Sequence, residues 1–300
     1  MKIAVLIPCL NEAAAISDVV RGFREILPNA DVYVYDNGSD DDTARLASSV
    51  GAIVKNEPIR GKGVVIQRMF REITADVYIM VDGDNTYSPE DAPKLLALIS
   101  NGTDMAVGSR LKGTGHVYRA FHGFGNRLIT YTLNTLFGCH LTDVLSGYRA
   151  FTKEFIKSVP VISNGFEVET ELTLNALDSN FLISEVPIQY RPREAESSSK
   201  LKTFRDGFRI ISTIIRIFRD YRPLHCLGTA SLICFLGGLI VGFPVINEFY
   251  NTGYVARVPS AILAAALETL SFVFLGVGLI LDTLCRFRKQ NHVLLRRFLR

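Results

Sequence analysis

The chain has 300 residues, of which 48% are hydrophobic and 21% charged, and its formal net charge is +3. So much apolar content excludes a disordered chain, and so mild a positive balance gives no electrostatic reason to expect a nucleic-acid partner. The five cysteines (Cys9, Cys139, Cys226, Cys234, Cys285) are scattered and form no C-x-x-C, which argues against a disulfide framework or a zinc site and for reduced thiols facing the cytosol.

Residues 1–200 alternate short apolar runs with helix-like segments. IAVLIP from Ile3, VYVYD to Asp36, VYIMVD to Asp82 and MAVGS to Ser109 read as buried strands. Between them, Glu12–Leu27, Asp41–Ser49, Gly61–Ile73 and Pro89–Ile99 carry helical periodicity, with start signals at Asp41 and at Ser88-Pro89. Strand and helix in alternation predict an α/β fold with a doubly wound, mostly parallel sheet, in which ligands bind at the carboxyl ends of the strands. The polar clusters Asn11-Glu12, Asp36-Asn37-Gly38-Ser39 and Asp82-Gly83-Asp84 fall at those ends. There is no internal repeat, and Arg191–Lys202 (RPREAESSSKLK) reads as a loop or linker.

After this linker the character changes. Phe204, Phe208, Ile211, Ile215 and Phe218 recur at helical spacing beside Arg205, Arg209, Arg216 and Arg219, which predicts an amphipathic juxtamembrane helix over 201–222 in the headgroup region of a lipid bilayer. Leu224–Ile246 holds no charged residue, and Val258–Leu281 is interrupted only by Glu268, so 223–285 is expected to form a transmembrane hairpin. Gly238 and Gly242 give a G-x-x-x-G spacing that favours a homo-oligomer by letting helices approach closely, while Glu268 calls for protonation or a partner in the bundle. Basic residues flank the pair on its outer sides and a basic tail occupies 286–300. The positive-inside rule therefore places domain 1–200 and both termini on the cytoplasmic face.

Two carboxylates at a strand end, Asp82 and Asp84, can converge on a hard divalent cation such as Mg²⁺ or Mn²⁺ and on a sugar hydroxyl. An Asp-x-Asp triplet alone is common, and its weight comes from the company it keeps. Gly61-Lys62-Gly63 opens a helix where a lysine and free N–H groups meet phosphate, without the spacing of a Walker A loop. Glu167, Glu169 and Glu171 alternate through a helix start, where acidic side chains favour the helix dipole and one is a candidate to face a second substrate.

In order along the chain come I-P-x-x-N-E, D-N-G-S-x-D-x-T, G-K-G, D-G-D, G-S-R (Gly108–Arg110), D-V-L-S-G-Y-R (Asp143–Arg149), E-V-P-I-x-Y (Glu185–Tyr190) and S-K-L (Ser199–Leu201). This series, with the two C-terminal spans, resembles family-two glycosyltransferases of GT-A fold, and among them the polyprenyl-phosphate glycosyltransferases. The resemblance covers nearly the whole chain. It implies that Pro8, Asn11, Glu12, Asp36, Lys62, Asp82, Arg193 and Lys200 bind a nucleotide-sugar donor, and that Asp82 and Asp84 hold Mg²⁺ or Mn²⁺. Arg110, Arg119 and His122 would grip the phosphate of a polyprenyl acceptor, undecaprenyl or dolichyl, and Asp84, Arg110 and Asp143 would serve catalysis. Where relatives often carry a Gln as third member of the metal motif, this chain has Thr86, and it has Glu196-Ser197 where the basic loop often has Gly-Ser. Arg110 and Arg149 have a second reading as structural ion pairs, and Asp143 either touches substrate or caps the turn into Ser146-Gly147.

The implied reaction moves a sugar, from UDP-Glc or UDP-GlcNAc by preference, onto a polyprenyl monophosphate with inversion. A processive polysaccharide synthase would carry Q-x-x-R-W, and this chain has no tryptophan. A sugar nucleotidyltransferase would have no use for two spans. The alternative outside enzymes is a catalytically silent membrane scaffold or lipid-carrier binding protein, against which the intact Asp82-x-Asp84 and Arg110 argue.

Overall fold

The computed structural model describes residues 1–110, 120–163, 167–191, 219 and 221–299. Among the described residues, seven strands and seven α-helices build the first part: β1 (Ile3–Cys9), α1 (Ile16–Ile26), β2 (Ala30–Asp36), α2 (Thr43–Ser49), β3 (Ile53–Asn56), α3 (Lys62–Glu72), β4 (Val77–Met80), α4 (Ala92–Ser100), β5 (Met105–Ser109), α5 (Ala120–Phe137), β6 (Arg149–Thr152), α6 (Lys153–Ser158), α7 (Val168–Asp178) and β7 (Ile183–Pro187). Two long helices follow, α8 (Pro223–Thr252) and α9 (Val258–Leu299). The chain divides into two compact units, one of residues 1–206 and 293–300 that holds the sheet, and one of residues 207–292 that holds α8 and most of α9.

The strands form one sheet in the order β3-β2-β1-β4-β6-β5-β7. The ladders β1·β2, β1·β4, β2·β3 and β5·β7 are parallel, while β6 runs antiparallel between β4 and β5. The expected mostly parallel α/β sheet is present, with β6 as an antiparallel insertion that no apolar run in the sequence announced.

Alternation along β1 explains the two layers of core. Ala4 and Leu6 face one side with Val65, Ile66 and Met69 of α3 and Val168 and Leu172 of α7. Val5, Ile7 and Cys9 face the other, with Ile16, Val19, Val20 and Phe23 of α1 and Leu95 of α4. The α1 residues fall at the i, i+3, i+4, i+7 positions of a single helical stripe, and all four are buried.

Helix starts depart from expectation where the backbone turns. α1 begins at Ile16 rather than Glu12, because Asn11 takes φ 56° and the Ala15 N–H closes a turn onto Glu12 O at 3.0 Å. Gly61, at φ 142°, stays outside α3, which starts at Lys62.

α8 and α9 are each long and apolar enough to cross a membrane, with 18-residue windows of mean hydropathy 2.2 and 2.1 inside Pro223–Thr252 and Val258–Arg288. α9 continues as helix through the basic segment to Leu299. Gly238 lies under the Glu268 side chain, where an added Cβ would come within 2.9 Å of the carboxyl carbon, and Gly242 faces Ala264. The glycine pair expected to join separate chains therefore faces α9 of its own chain. Ser231 and Ser271 share a hydrogen bond of 3.0 Å across the same seam, and Glu268 Oε1 is buried with no hydrogen-bond partner among the described residues. The expected interfacial helix lies, apart from residues 219, 221 and 222, outside the described residues.

Candidate functional site

In the strand order, β1 has β2 on one side and β4 on the other, so the connections after β1 and β4 leave in opposite directions. That is the switch point at which open α/β sheets bind ligands. Cys9 and Asp36 end their strands in register, and the β1·β4 ladder stops at Leu6 and Met80, from which Asp82-Gly83-Asp84 departs. Gly83 is required there, because a Cβ would sit 2.6 Å from Cys9 Sγ. Burial raises the Cys9 thiol well above its ordinary range, and the negative charges of Glu12, Asp36, Asp82 and Asp84 raise it further. The thiol is thus inert, and the four carboxylates around it mark one acidic end of the sheet.

The loops after β1 and β2 are laced together. Asn11 N donates to Ser39 Oγ at 2.9 Å, Asp40 N to Asn11 Oδ1 at 2.8 Å, and Glu12 N to Thr43 Oγ1 at 2.9 Å. Ala13 N donates to Asp41 Oδ2 at 3.1 Å. Desolvation would raise the Asp41 carboxyl, but hydrogen bonds from Thr43 and the backbone hold it below its ordinary range. Asp36 is buried and accepts from Ser39 N at 3.1 Å as well as from the Ser39 hydroxyl. Pro8 is half-buried at the base of these loops. The D-N-G-S-x-D-x-T motif thereby shapes a wall through Ser39, Asp41 and Thr43, and Asn37 extends it. Asn37 Nδ2 donates to the carbonyls of Glu57 and Ile59, and its Oδ1 accepts from Gly61 N at 2.7 Å, which fixes the approach to Lys62.

Lys62 does not stand open to solvent. Its Nζ lies 2.6 Å from Asp82 Oδ1 and 2.5 Å from Glu169 Oε1. Burial alone would lower this ammonium, yet Asp82 and Glu169 raise it above its ordinary value, so it stays charged. Glu169, in the first turn of α7, is the member of the acidic triplet that reaches the site, 107 residues from Lys62 in sequence. Glu171 instead accepts the N–H groups of Ile162 and Ser163. Gly147, from the D-V-L-S-G-Y-R motif, closes over Asp82, and a Cβ there would meet Oδ2 at 2.6 Å.

Asp84 Oδ1 accepts from Thr86 Oγ1 at 2.6 Å and from Thr86 N at 3.2 Å. Thr86 is buried and stands behind Asp84 as a hydrogen-bond donor. Asp82 and Asp84 fit a hard cation that takes one or two carboxylates and completes its shell with phosphate oxygens and water. They do not make an all-protein cage, since among the described residues no group of three or more His, Cys, Asp or Glu is placed to hold a metal ion.

Arg110 follows β5 at the same edge. Its Nε lies 2.7 Å from Asp143 Oδ2 and its Nη2 2.8 Å from Oδ1, a two-pronged pair, and its backbone N–H also donates to Oδ2 at 3.0 Å. Asp143 has no exposed surface and accepts a fourth bond from Asn126 Nδ2 on α5 at 2.9 Å. Desolvation would raise its carboxyl, but the Arg110 hydrogen bonds and charge hold it below the ordinary range. Among the described residues, Asp143, expected among the catalytic residues, is engaged by Arg110 and Asn126. The Arg110 guanidinium also lies 5.5 Å from the centre of the Tyr190 ring. Arg149 is wholly buried and donates to the carbonyls of Val144 and Ser146 and to Thr173 Oγ1, with burial lowering it to about 10. Its place is structural: it braces the turn between Asp143 and β6.

His122 belongs to the first turn of α5, one turn before Asn126, and its side chain lies outside the described residues, as do Arg119, Arg193 and Lys200. The structure brings Asp36, Lys62, Asp82 and Asp84 to one edge with Glu169, and gives Arg110 a rigid mount. Asn126 was not singled out by the sequence, while Thr86 entered only as the third position of the metal motif and Glu169 only as one of three alternating acids.

A family model described as "Glycosyl transferase family 2" matches residues 4–159. Glycosyltransferase AglJ of Haloferax volcanii is 33% identical over 250 residues, 82% of each chain. The dolichyl-phosphate hexose transferase of the same organism is 29% identical over 220 residues, 73% of this chain and 95% of that one. Among solved structures, glucosyl-3-phosphoglycerate synthase from Mycobacterium tuberculosis, crystallised with Mn²⁺, uridine diphosphate and glucosyl-3-phosphoglycerate, is similar at a TM-score of 0.58 and 25% identity, over 73% of this chain and 78% of that one.

Proposed function

The chain belongs to glycosyl transferase family 2 and is a glycosyltransferase; from that premise we propose that it transfers a hexose from a nucleoside-diphosphate sugar to a polyprenyl monophosphate at a membrane. One observation carries the reading. The acidic pair Asp82 and Asp84 and the rigidly held Arg110 occupy the same end of the sheet, in a chain that continues into two apolar helices of membrane-spanning length. The acceptor class is supported by the relative named as a dolichyl-phosphate hexose transferase, and the uridine donor with Mn²⁺ by the crystallised neighbour. UDP-Glc and UDP-GlcNAc are the favoured donors. The expected orientation puts the sheet domain and both termini on the cytoplasmic face.

In this reading the walls built by Asn11, Glu12 and Asp36 receive the nucleoside, and Asp82 and Asp84 hold Mg²⁺ or Mn²⁺. The bound ion supplies neutralisation of charge on the leaving diphosphate. Lys62, kept charged between Asp82 and Glu169, orients Asp82 and adds positive potential beside that diphosphate. Arg110 presents its fork to the acceptor phosphate, for which a planar, always-charged guanidinium is well matched. The acceptor phosphate is already largely ionised near neutral pH, its second pKa being about 6, so no strong general base is required. Its oxygen attacks the anomeric carbon opposite the departing nucleotide, and the configuration inverts.

The test is transfer of label from UDP-Glc, UDP-GlcNAc, UDP-Gal and GDP-Man to polyprenyl phosphate by the full chain, with the lipid product separated by thin-layer chromatography. Asp84→Ala is expected to lower transfer by about 10²–10³-fold, the scale of removing one electrostatic stabiliser of a transition state. Undiminished transfer by that variant would remove the metal-site assignment. A lack of lipid product with all four donors would remove the acceptor.

A further inference from the structure

The E-V-P-I-x-Y motif on β7 stands apart from the roles assigned above, yet it lies directly behind Arg110. Glu185 Oε1 accepts Thr142 N at 2.9 Å and Asp143 N at 3.0 Å, while Oε2 accepts Thr142 N at 2.8 Å and Thr142 Oγ1 at 2.6 Å. Ser109 Oγ, next to Arg110, shares a hydrogen bond of 2.8 Å with the same Thr142 hydroxyl. Ile188 packs so closely on Gly108 that a Cβ there would meet three of its side-chain atoms within 3.3 Å. Tyr190 closes the motif under the guanidinium. Among the described residues, the side-chain hydrogen bonds of Glu185 thus go to the 142–143 turn, and the carboxylate presented by that turn sets the direction of Arg110.

We propose that Glu185 is a positioning residue for Arg110, acting through the Thr142–Asp143 turn, so that β7 sets the angle at which the guanidinium meets the acceptor phosphate. The inference rests on the acceptor role given to Arg110 under the proposed function. The physical reason is that a two-pronged pair transmits orientation. Asp143 binds two nitrogens of one planar group, so a rotation of the turn rotates the whole fork. Charge is not the point: Glu185 touches backbone N–H groups and a hydroxyl, all of which a neutral acceptor of the same shape can also satisfy.

Steady-state transfer by the full chain in detergent, with donor and lipid phosphate varied separately, tests this. Glu185→Ala is expected to lower kcat/KM for the lipid acceptor by about 10–100-fold, the range typical of residues that orient a functional group from behind, while the KM for the donor moves less than threefold. Glu185→Gln, which keeps one oxygen against both N–H groups, is expected to recover most of that loss. In an Arg110→Ala background, Glu185→Ala is expected to add nearly nothing, because its effect passes through the missing guanidinium. If Arg110→Ala leaves acceptor kinetics unchanged, the acceptor reading of Arg110 fails. If Arg110→Ala is impaired but Glu185→Ala adds its full effect on top, or if Gln is as poor as Ala, the positioning role fails while that reading stands. Should the Ala variant not fold, the comparison of Glu185→Gln with Thr142→Val, which loses the hydroxyl bonds to Glu185 and Ser109, carries the same decision: Thr142→Val raises the acceptor KM or the proposal is wrong.

Discussion

Two cations stand at the carboxyl end of this sheet, and they are held in opposite ways. Lys62 is a compact charge between two carboxylates from different elements, Asp82 after β4 and Glu169 on α7. Arg110 is a planar fork against one buried carboxylate, Asp143, which Asn126 and the Glu185-bound turn hold from behind. The first arrangement leaves acid in excess, as a site for a divalent ion and diphosphate needs. The second is balanced and stiff, as a site that must direct a guanidinium at a phosphate needs. One end attracts a cation and the other aims one.

Breaking the stiff side has the larger expected effect. Asp143→Ala leaves the Arg110 guanidinium without its buried partner and is expected to cost about 3–5 kcal/mol, read from thermal or denaturant unfolding of the full chain, together with loss of transfer. The same pair gives a sign for acid. Asp143 titrates below its ordinary range in the fold, so its stabilisation is complete above the unfolded carboxylate value of about 3.9 and disappears as pH falls through the lower folded value. Wild type and Asp143→Ala should therefore converge in melting temperature once pH falls below that lowered folded value. A gap that persists there would mean the loss is packing and not the ion pair.

On the acidic side, Lys62→Met is expected to destabilise at pH 7 by on the order of 3 kcal/mol or less, since Asp82 is partly exposed. Mn²⁺ should raise the melting temperature of this variant more than that of wild type, having lost a competing cation at Asp82. An equal or smaller shift would show that Lys62 does not oppose the ion and would blur the contrast with Arg110.

Gly83→Ala comes next in size. The new methyl would meet Cys9 Sγ at 2.6 Å and Ile7 Cγ2 at 3.4 Å in a closely packed layer, at an expected cost of about 1–3 kcal/mol. Adding Cys9→Ala should return part of that stability, as measured by unfolding midpoints. If the double variant is no better, the strain lies in the backbone of the D-G-D turn instead.

How legible these two sides are in sequence follows from their chemistry. The half of the sheet that carries the acid is built from runs such as IAVLIP and VYIMV, buried on both faces, and each run ends in its functional residues. The half that mounts Arg110 includes β6, RAFT, and β7, ISEVP, which are short, and β7 is only half-buried, so no apolar period announces them. The Arg110–Asp143 pair spans 33 residues and the Lys62–Glu169 pair 107, separations that no local pattern encodes. The ordered motifs supplied candidates for the site. What they lacked was which side chain holds which, and so Asp143 read either as catalytic or as a turn cap and Glu169 as one acid among three.

Thr86 makes the smallest and sharpest case, because it falls where related chains often carry an amide side chain. It sits behind Asp84, donating from Oγ1 at 2.6 Å and from N at 3.2 Å to the same oxygen, and is only 2% exposed. Thr86→Val keeps the volume and the N–H donor and removes the hydroxyl with its bonds to Asp84 and Tyr190, for an expected cost of about 1 kcal/mol. Because the first of these bonds orients Asp84, the Mn²⁺ concentration giving half-maximal transfer should rise about fivefold, 1 kcal/mol being that ratio. The KM for the lipid acceptor should move less than the Mn²⁺ requirement, because Thr86 meets the Arg110 mount only through a side-chain hydrogen bond with Tyr190, whose ring lies 5.5 Å from the guanidinium. Thr86→Ser should restore the metal dependence. A rise in acceptor KM as large as the rise in Mn²⁺ requirement would mean that the two sides act as one, and the division between a side that attracts and a side that aims would have to be given up.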